Sequence, residues 1–131
     1  MKIRIFLVAA AVALSGCVTQ EQMDNVLATQ RAPSNAVRHA IVKAARDYLI
    51  DPYSVRDAEI SAVMDAPGGK LQFVCVKANA KNRLGAYTGR STISVRLVGV
   101  TPVSTNENAA ACMAPLLKWY AFPELENLKN I

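Results

Sequence analysis

From Ser34 onward the apolar positions of the chain follow two rhythms, first a helical one and then an alternating one. Val37, Ile41, Ala44, Ala45, Tyr48 and Leu49 recur at steps of three and four, which gathers them on one face of a helix. Arg38, Lys43, Arg46 and Asp47 fall largely on the opposite side. Ser34 or Asn35 can cap the start, and Asp51-Pro52 ends the helix near Ile50, because the residue before a proline is pushed out of the helical region. After Tyr53 the period drops to two: Ala58, Ile60, Ala62 and Met64 alternate with Asp57, Glu59, Ser61 and Val63, and Pro67-Gly68-Gly69 offers a reversal. The next strand, Leu71 to Ala78, puts Leu71, Phe73 and Cys75 on one face and Val74 and Val76 on the other, apolar on both as a central strand is. A third, Ser91 to Val100, sets Ile93, Val95 and Leu97 against Thr92, Ser94, Arg96 and Val98, and Pro102 closes it.

Beyond it, Ser104-Thr105-Asn106-Glu107 matches a capping box and predicts a second helix from Asn108 to about Met113. Pro115 removes a hydrogen bond to the carbonyl of Ala111 and kinks or restarts this helix near Ala114, ahead of Leu116, Leu117, Trp119, Tyr120 and Phe122. The expected fold class is α+β. It is a small α-β-β-β-α domain over residues 35–131, with a three-stranded antiparallel meander covered on one face by helices. Residues 18–34, polar through Gln20, Gln22, Asn25 and Gln30, read as a tether with room for a short helix through Glu21 to Ala28.

The N-terminus has a different character. Lys2 and Arg4 precede an apolar run from Ile5 to Leu14, too short to span a bilayer and of the length and flank of a secretory signal. The run ends in Leu14-Ser15-Gly16-Cys17, which resembles the lipobox of bacterial prolipoproteins. That resemblance implies a signal peptide over residues 1–16, a diacylglycerol on the thiol of Cys17 and an acyl group on its freed amine. Two or three acyl chains anchor firmly where one binds only marginally. The implied protein is a membrane-anchored lipoprotein of the bacterial cell envelope. Its cysteine is followed by Val18, where an inner-membrane retention signal commonly has Asp, so the outer membrane is favoured. An ordinary cleaved signal or a membrane stub with an incidental Cys17 stands as the alternative.

Removing the first 16 of 131 residues leaves 115, enough for one small domain and too few for a large enzyme fold. Cys75 and Cys112 remain as an even pair in a chain bound for an oxidising compartment, and a disulfide between them is expected, with two buried free thiols as the alternative. Such a bridge would staple the second helix to the sheet face carrying Cys75 and stabilise the fold by about 4 kcal/mol on the chain-entropy model. With a single histidine, His39, there is no zinc set of four, and no other metal site or cofactor is expected. No Asp or Glu occurs between Asp65 and Glu107, whereas Lys70, Lys77, Lys81, Arg83, Arg90 and Arg96 all do. The segment could meet an anionic envelope component or an acidic protein, or be a solvated surface. The export signal argues against nucleic acid.

Within it lies Asn79-Ala80-Lys81-Asn82-Arg83-Leu84-Gly85-Ala86-Tyr87-Thr88-Gly89-Arg90, longer than a tight hairpin needs. Asn79, Lys81, Asn82, Arg83, Tyr87 and Arg90 are its candidate binding residues: an aromatic among cations suits a sugar, a phosphate-bearing lipid or a protein. The competing reading has Tyr87 packed inward and Asn79 capping the strand. Together with Asp51-Pro52-Tyr53-Ser54 and Val74-Cys75, the loop resembles a pattern in small exported bacterial proteins of unassigned function, over roughly residues 36–115; this implies an exported compact domain and no activity. No GxSxG, HExxH or phosphate-cradling glycine loop occurs. His39 falls on the exposed side of its helix, and Asp47 and Asp51 read as surface carboxylates, so no catalytic residue is expected. The expected function is that of a non-enzymatic interaction or accessory module of the envelope. A structural or surface spacer without specific ligand, or an inhibitor of a periplasmic or host hydrolase, are the alternatives.

Overall fold

The computed structural model describes residues 18–130; Cys17 and the expected signal peptide over residues 1–16 lie outside the described residues. In chain order the elements are α1 (Gln20–Leu27), α2 (Asn35–Tyr48), β1 (Arg56–Ser61), β2 (Met64–Asp65), β3 (Gln72–Asn79), β4 (Ser91–Val98), β5 (Thr101–Asn106), β6 (Trp119–Ala121) and α3 (Pro123–Glu126). Short 3-10 turns sit at Pro52–Ser54, Ala110–Met113 and Asn127–Asn130. The fold is α+β, with one antiparallel sheet in the order β5-β4-β3-β1-β6 and β2 paired with β3.

The residues apolar on both faces of β3 make it the middle of this sheet, since β4 occupies one of its edges and β1 and β2 share the other. Val74 pairs with Val95 and Val76 with Ile93, so the branched side chains of β3 and β4 stack on one face. There α2 lays down Val37, Ile41 and Val42, and Phe122, Leu125 and Leu128 from the C-terminal segment close the core beside Ile60. The opposite face holds a second cluster of Val26, Met64, Cys75, Cys112 and Leu117. Both faces are therefore covered, which corrects the expectation of helices on one face only.

Further expectations give way to strand pairing and to turns. The meander is not three-stranded: β5 extends it past β4, and β6 extends it past β1. The capping-box residues Ser104 to Asn106 are strand, because Gly99 at φ +61° turns the chain back and the branched Thr101, Val103 and Thr105 run along the free edge of β4. A ladder with β4 outweighs a local helix start. The Ala-rich run after it forms only a 3-10 turn at Ala110–Met113, and Trp119 to Ala121, expected as helix, pairs with Ser61 to Glu59.

The polar segment before α2 is folded onto the domain rather than free. Thr19 and Gln22 form a reciprocal capping box that starts α1. Val26 is buried, and Arg31 and Val63 exchange both backbone hydrogen bonds at 3.1 and 2.8 Å. Thr29 Oγ1 accepts from the Asp65 amide, and Gln30 brackets Leu116 and Lys118 through its amide group. Cys75 and Cys112 are joined by a disulfide across a separation of 37 residues, which ties the 3-10 turn to β3 on the α1 side of the sheet.

Candidate functional site

The connection from β3 to β4 is built around one small turn and one clamp. The side-chain carbonyl of Asn82 accepts from the amides of Leu84 and Ala86, and its backbone amide donates to the Ala86 carbonyl at 3.0 Å. Gly85, at φ +75°, completes this turn where a side chain would be strained. The clamp is the 3-10 turn that Asp51-Pro52 starts. Ser54 Oγ donates to the Asp51 carbonyl and accepts from the Lys81 amide, both at 2.8 Å, while Tyr87 Oη donates to the Ser54 carbonyl at 2.6 Å. Arg56 stacks its guanidinium 3.6 Å from the centre of the Tyr87 ring, and Lys81 Nζ lies 5.7 Å from it. The two stretches that stood out in the sequence, Asp51 to Ser54 and Asn79 to Gly89, are thus one hydrogen-bonded unit.

The six candidate residues separate by what they touch. Asn79 is buried, and its side-chain oxygen has no hydrogen-bond partner among the described residues. Asn82 and Tyr87 hold the loop in shape. Arg90 donates to Glu59 at 2.8 Å, and Lys77 Nζ reaches the same carboxylate oxygen at 3.7 Å while lying 3.9 Å from the Trp119 ring. Glu59 on β1 thereby supplies the acid that the segment between Asp65 and Glu107 lacks, so its cations do not add up to a single free patch. Lys81 and Arg83 take part in no ion pair among the described residues. At the tip beside Arg83, Leu84 is 90% exposed. Sequence reasoning passed over Leu84 and Arg56 and gave Ser54 no role, although the run Asp51-Pro52-Tyr53-Ser54 that contains it stood out.

Elsewhere one ion pair is perturbed. Arg38, expected on the exposed face of α2, instead reaches Glu124 with two hydrogen bonds at 2.7 and 2.8 Å, donates to the Ala121 carbonyl and covers the Phe122 ring at 5.1 Å. Hydrogen bonding from Arg38 holds the Glu124 carboxyl below the usual carboxylate range, and the same pairing raises Arg38. His39 is exposed. Among the described residues no three His, Cys, Asp or Glu side chains are grouped to hold a metal ion, and no helix is long and apolar enough to cross a membrane. Compared with protein families, curated proteins and solved structures, the chain matches none.

Proposed function

We propose that this chain is a lipid-anchored protein of the bacterial cell envelope and acts as a non-enzymatic interaction module, presenting the tip of the 79–90 loop to another envelope component. The observation that carries this reading is the clamp. A loop held by Ser54, Tyr87 and Arg56 on one side and by its own Asn82 turn on the other offers Arg83 and Leu84 in a fixed position. Little conformational entropy is then lost when a partner binds, which is how a small contact gains affinity. Tyr87 is the fastening of this surface and Arg83 with Leu84 its contact. The anchor rests on Leu14-Ser15-Gly16-Cys17; with Thr19 capping α1, a lipid on Cys17 would hold the folded domain close to the bilayer.

The test uses the full chain in its host envelope, with a benzophenone amino acid in place of Leu84. A single protein adduct that is lost on Arg83→Glu is expected. Absence of any protein adduct, with incorporation and folding verified, would overturn the contact. The anchor is tested apart from it: Cys17→Ser should move the chain out of the membrane fraction, and a variant that stays there would overturn the lipidation.

A further inference from the structure

The core face of the sheet is not closed everywhere. Between α2 and the β4-β5 hairpin runs a groove of about 800 Å³, within the range of about 300–1,000 Å³ usual for small-molecule sites. Its floor is made by Val76, Ala78, Ile93 and Val95, which share one face by the β3–β4 register. One wall is the flank of α2, where Ala44 and Ala45 present little bulk to that floor, with Tyr48 and Leu49 following; the other is β5 from Pro102. Small side chains opposite branched ones leave space where a leucine or phenylalanine would have filled it. As a result Ala45, Leu49, Ala78, Ala80 and Ile93, all packed against the main core, stay only partly buried, and all five line this groove.

The groove is polar at one end. The pairs Ala78↔Ser91 and Ser94↔Asn106 bring the end of β3, the start of β4 and the end of β5 to one side of the sheet. There lie Lys81, Asn82, Thr88, Thr92, Glu107 and Asn108, and Lys81 and Glu107 are the two charged residues of the lining. Away from that end the floor is hydrocarbon, while Tyr48, Ser104 and Thr105 place hydroxyls on the walls. Backbone groups of β3 and β4 are spent on their ladders, so the floor offers dispersion contacts and no hydrogen bonds to an occupant. A peptide laid on the floor, away from the free edge of β5, would leave its own amides unpaired there, whereas an alkyl chain has none to satisfy.

We propose that this groove binds a monoacyl phospholipid with a phosphoethanolamine headgroup, its tail between α2 and the sheet, its phosphate at Lys81 and its ammonium at Glu107. The charges carry the choice of headgroup: a free fatty acid would use Lys81 and leave its carboxylate facing Glu107, whereas a headgroup bearing both signs is complemented by the pair. The site does not include the tip residues Arg83 and Leu84, although Lys81 and Asn82 belong to both the groove and the clamped loop.

The full chain, purified in detergent, is exposed to a trace of lysophosphatidylethanolamine carrying a diazirine near the end of its acyl chain, and the adducts are mapped by mass spectrometry. Adducts on peptides containing residues 41–50 and 93–105 are expected. Ala45→Trp, which fills the groove, should lower their yield about tenfold, as a loss of about 1.4 kcal/mol in binding would. Ile93→Trp, from the floor, should do the same, so one variant that melts non-cooperatively does not decide the matter. Adducts elsewhere, or yields indifferent to both folded tryptophan variants, would overturn the site. For the headgroup, Lys81→Glu should depress capture of this probe several-fold more than capture of an uncharged monoacylglycerol with the same tail, by the cost of placing like charges together. Equal losses, or oleate displacing the probe better than unlabelled lysophosphatidylethanolamine, would overturn the headgroup assignment and leave a plain acyl site.

Discussion

Ser61 shows how much one side chain can decide. It is fully buried where β1 leaves β3 and before β2 joins it, and its hydroxyl accepts from the Cys75 amide at 2.7 Å while donating to the Ala62 carbonyl at 2.8 Å. The hydroxyl stands in for the ladder bond that the break between β1 and β2 would otherwise leave out. Ser61→Ala removes the acceptor and strands a buried amide, so a loss of about 1–3 kcal/mol is expected. Urea unfolding should show it as a lower midpoint with an unchanged slope. A midpoint equal to that of the unsubstituted chain would mean that water reaches the Cys75 amide. Nothing in the alternation of residues 57–64 announces this role, because a serine at that spacing reads as an outward polar position. Its burial follows from the second layer, in which α1 and the disulfide-bonded turn cover the sheet face that Ser61 shares with Cys75.

At the level of elements, legibility depended on whether the deciding contacts were local. The helix α2 has its capping serine, its apolar stripe and its terminating Asp51-Pro52 within one short stretch, and its bounds lie within two residues of the expected ones. Likewise β3 and β4 carry their own alternation, and the centrality of β3 followed from apolar residues on both faces. By contrast β6 and the α1 segment depend on partners far along the chain, and β5 depends on the open edge of its neighbour β4. Ser104 to Glu107 satisfies a helix-start pattern, and the open edge of β4 makes Ser104 to Asn106 strand. The polar α1 segment has few large apolar residues, and its docking comes from Val26, the Arg31–Val63 bridge and side-chain bonds of Thr29 and Gln30, none visible as periodicity. The cysteine pairing was expected from count and compartment, and the disulfide is present. It holds the least regular part of the chain: the 3-10 turn at Ala110–Met113 has no side-chain cap and little ladder of its own. Cys75→Ala with Cys112→Ala should therefore cost about 2–4 kcal/mol, near the chain-entropy value for a loop of this length. The loss should be felt first there, as faster amide exchange in residues 109–117 and in α1, while β3 and β4 keep protection up to the global limit. Uniform loss of protection across all elements would show instead that the second layer does not open by itself.

For the whole molecule the two layers are fixed to the sheet by different means, and a shifted carboxylate belongs to one of them. The disulfide side is held by the Cys75–Cys112 bond and by the Arg31–Asp65 pair at 2.9 Å. On the other side the packing of α2 against the C-terminal segment ends in the Arg38–Glu124 pair, in which Arg38 also donates to Ala121 and covers Phe122. Glu124 has a folded-state pKa below its ordinary value, because the guanidinium hydrogen bonds favour the carboxylate. The unfolded chain then binds the proton more readily than the folded one, so the pair's contribution is complete above the ordinary glutamate value and is lost as the pH falls through the lower folded value. The window lies below about pH 4.3. The Glu124 side chain is 37% exposed, and water screening limits the contribution to about 1 kcal/mol or less. Glu124→Gln should accordingly lower the unfolding free energy at pH 7, and the gap to the unsubstituted chain should narrow steadily in acid and close once Glu124 is protonated in both states. Urea titrations of the two proteins at pH 7 and at stepwise lower pH measure that gap directly, with all other carboxylates cancelling in the difference. A gap that stays constant with pH would place the pair's value in the neutral contacts around Arg38, its stack on Phe122 above all, and remove charge from the account of how the C-terminal segment is held.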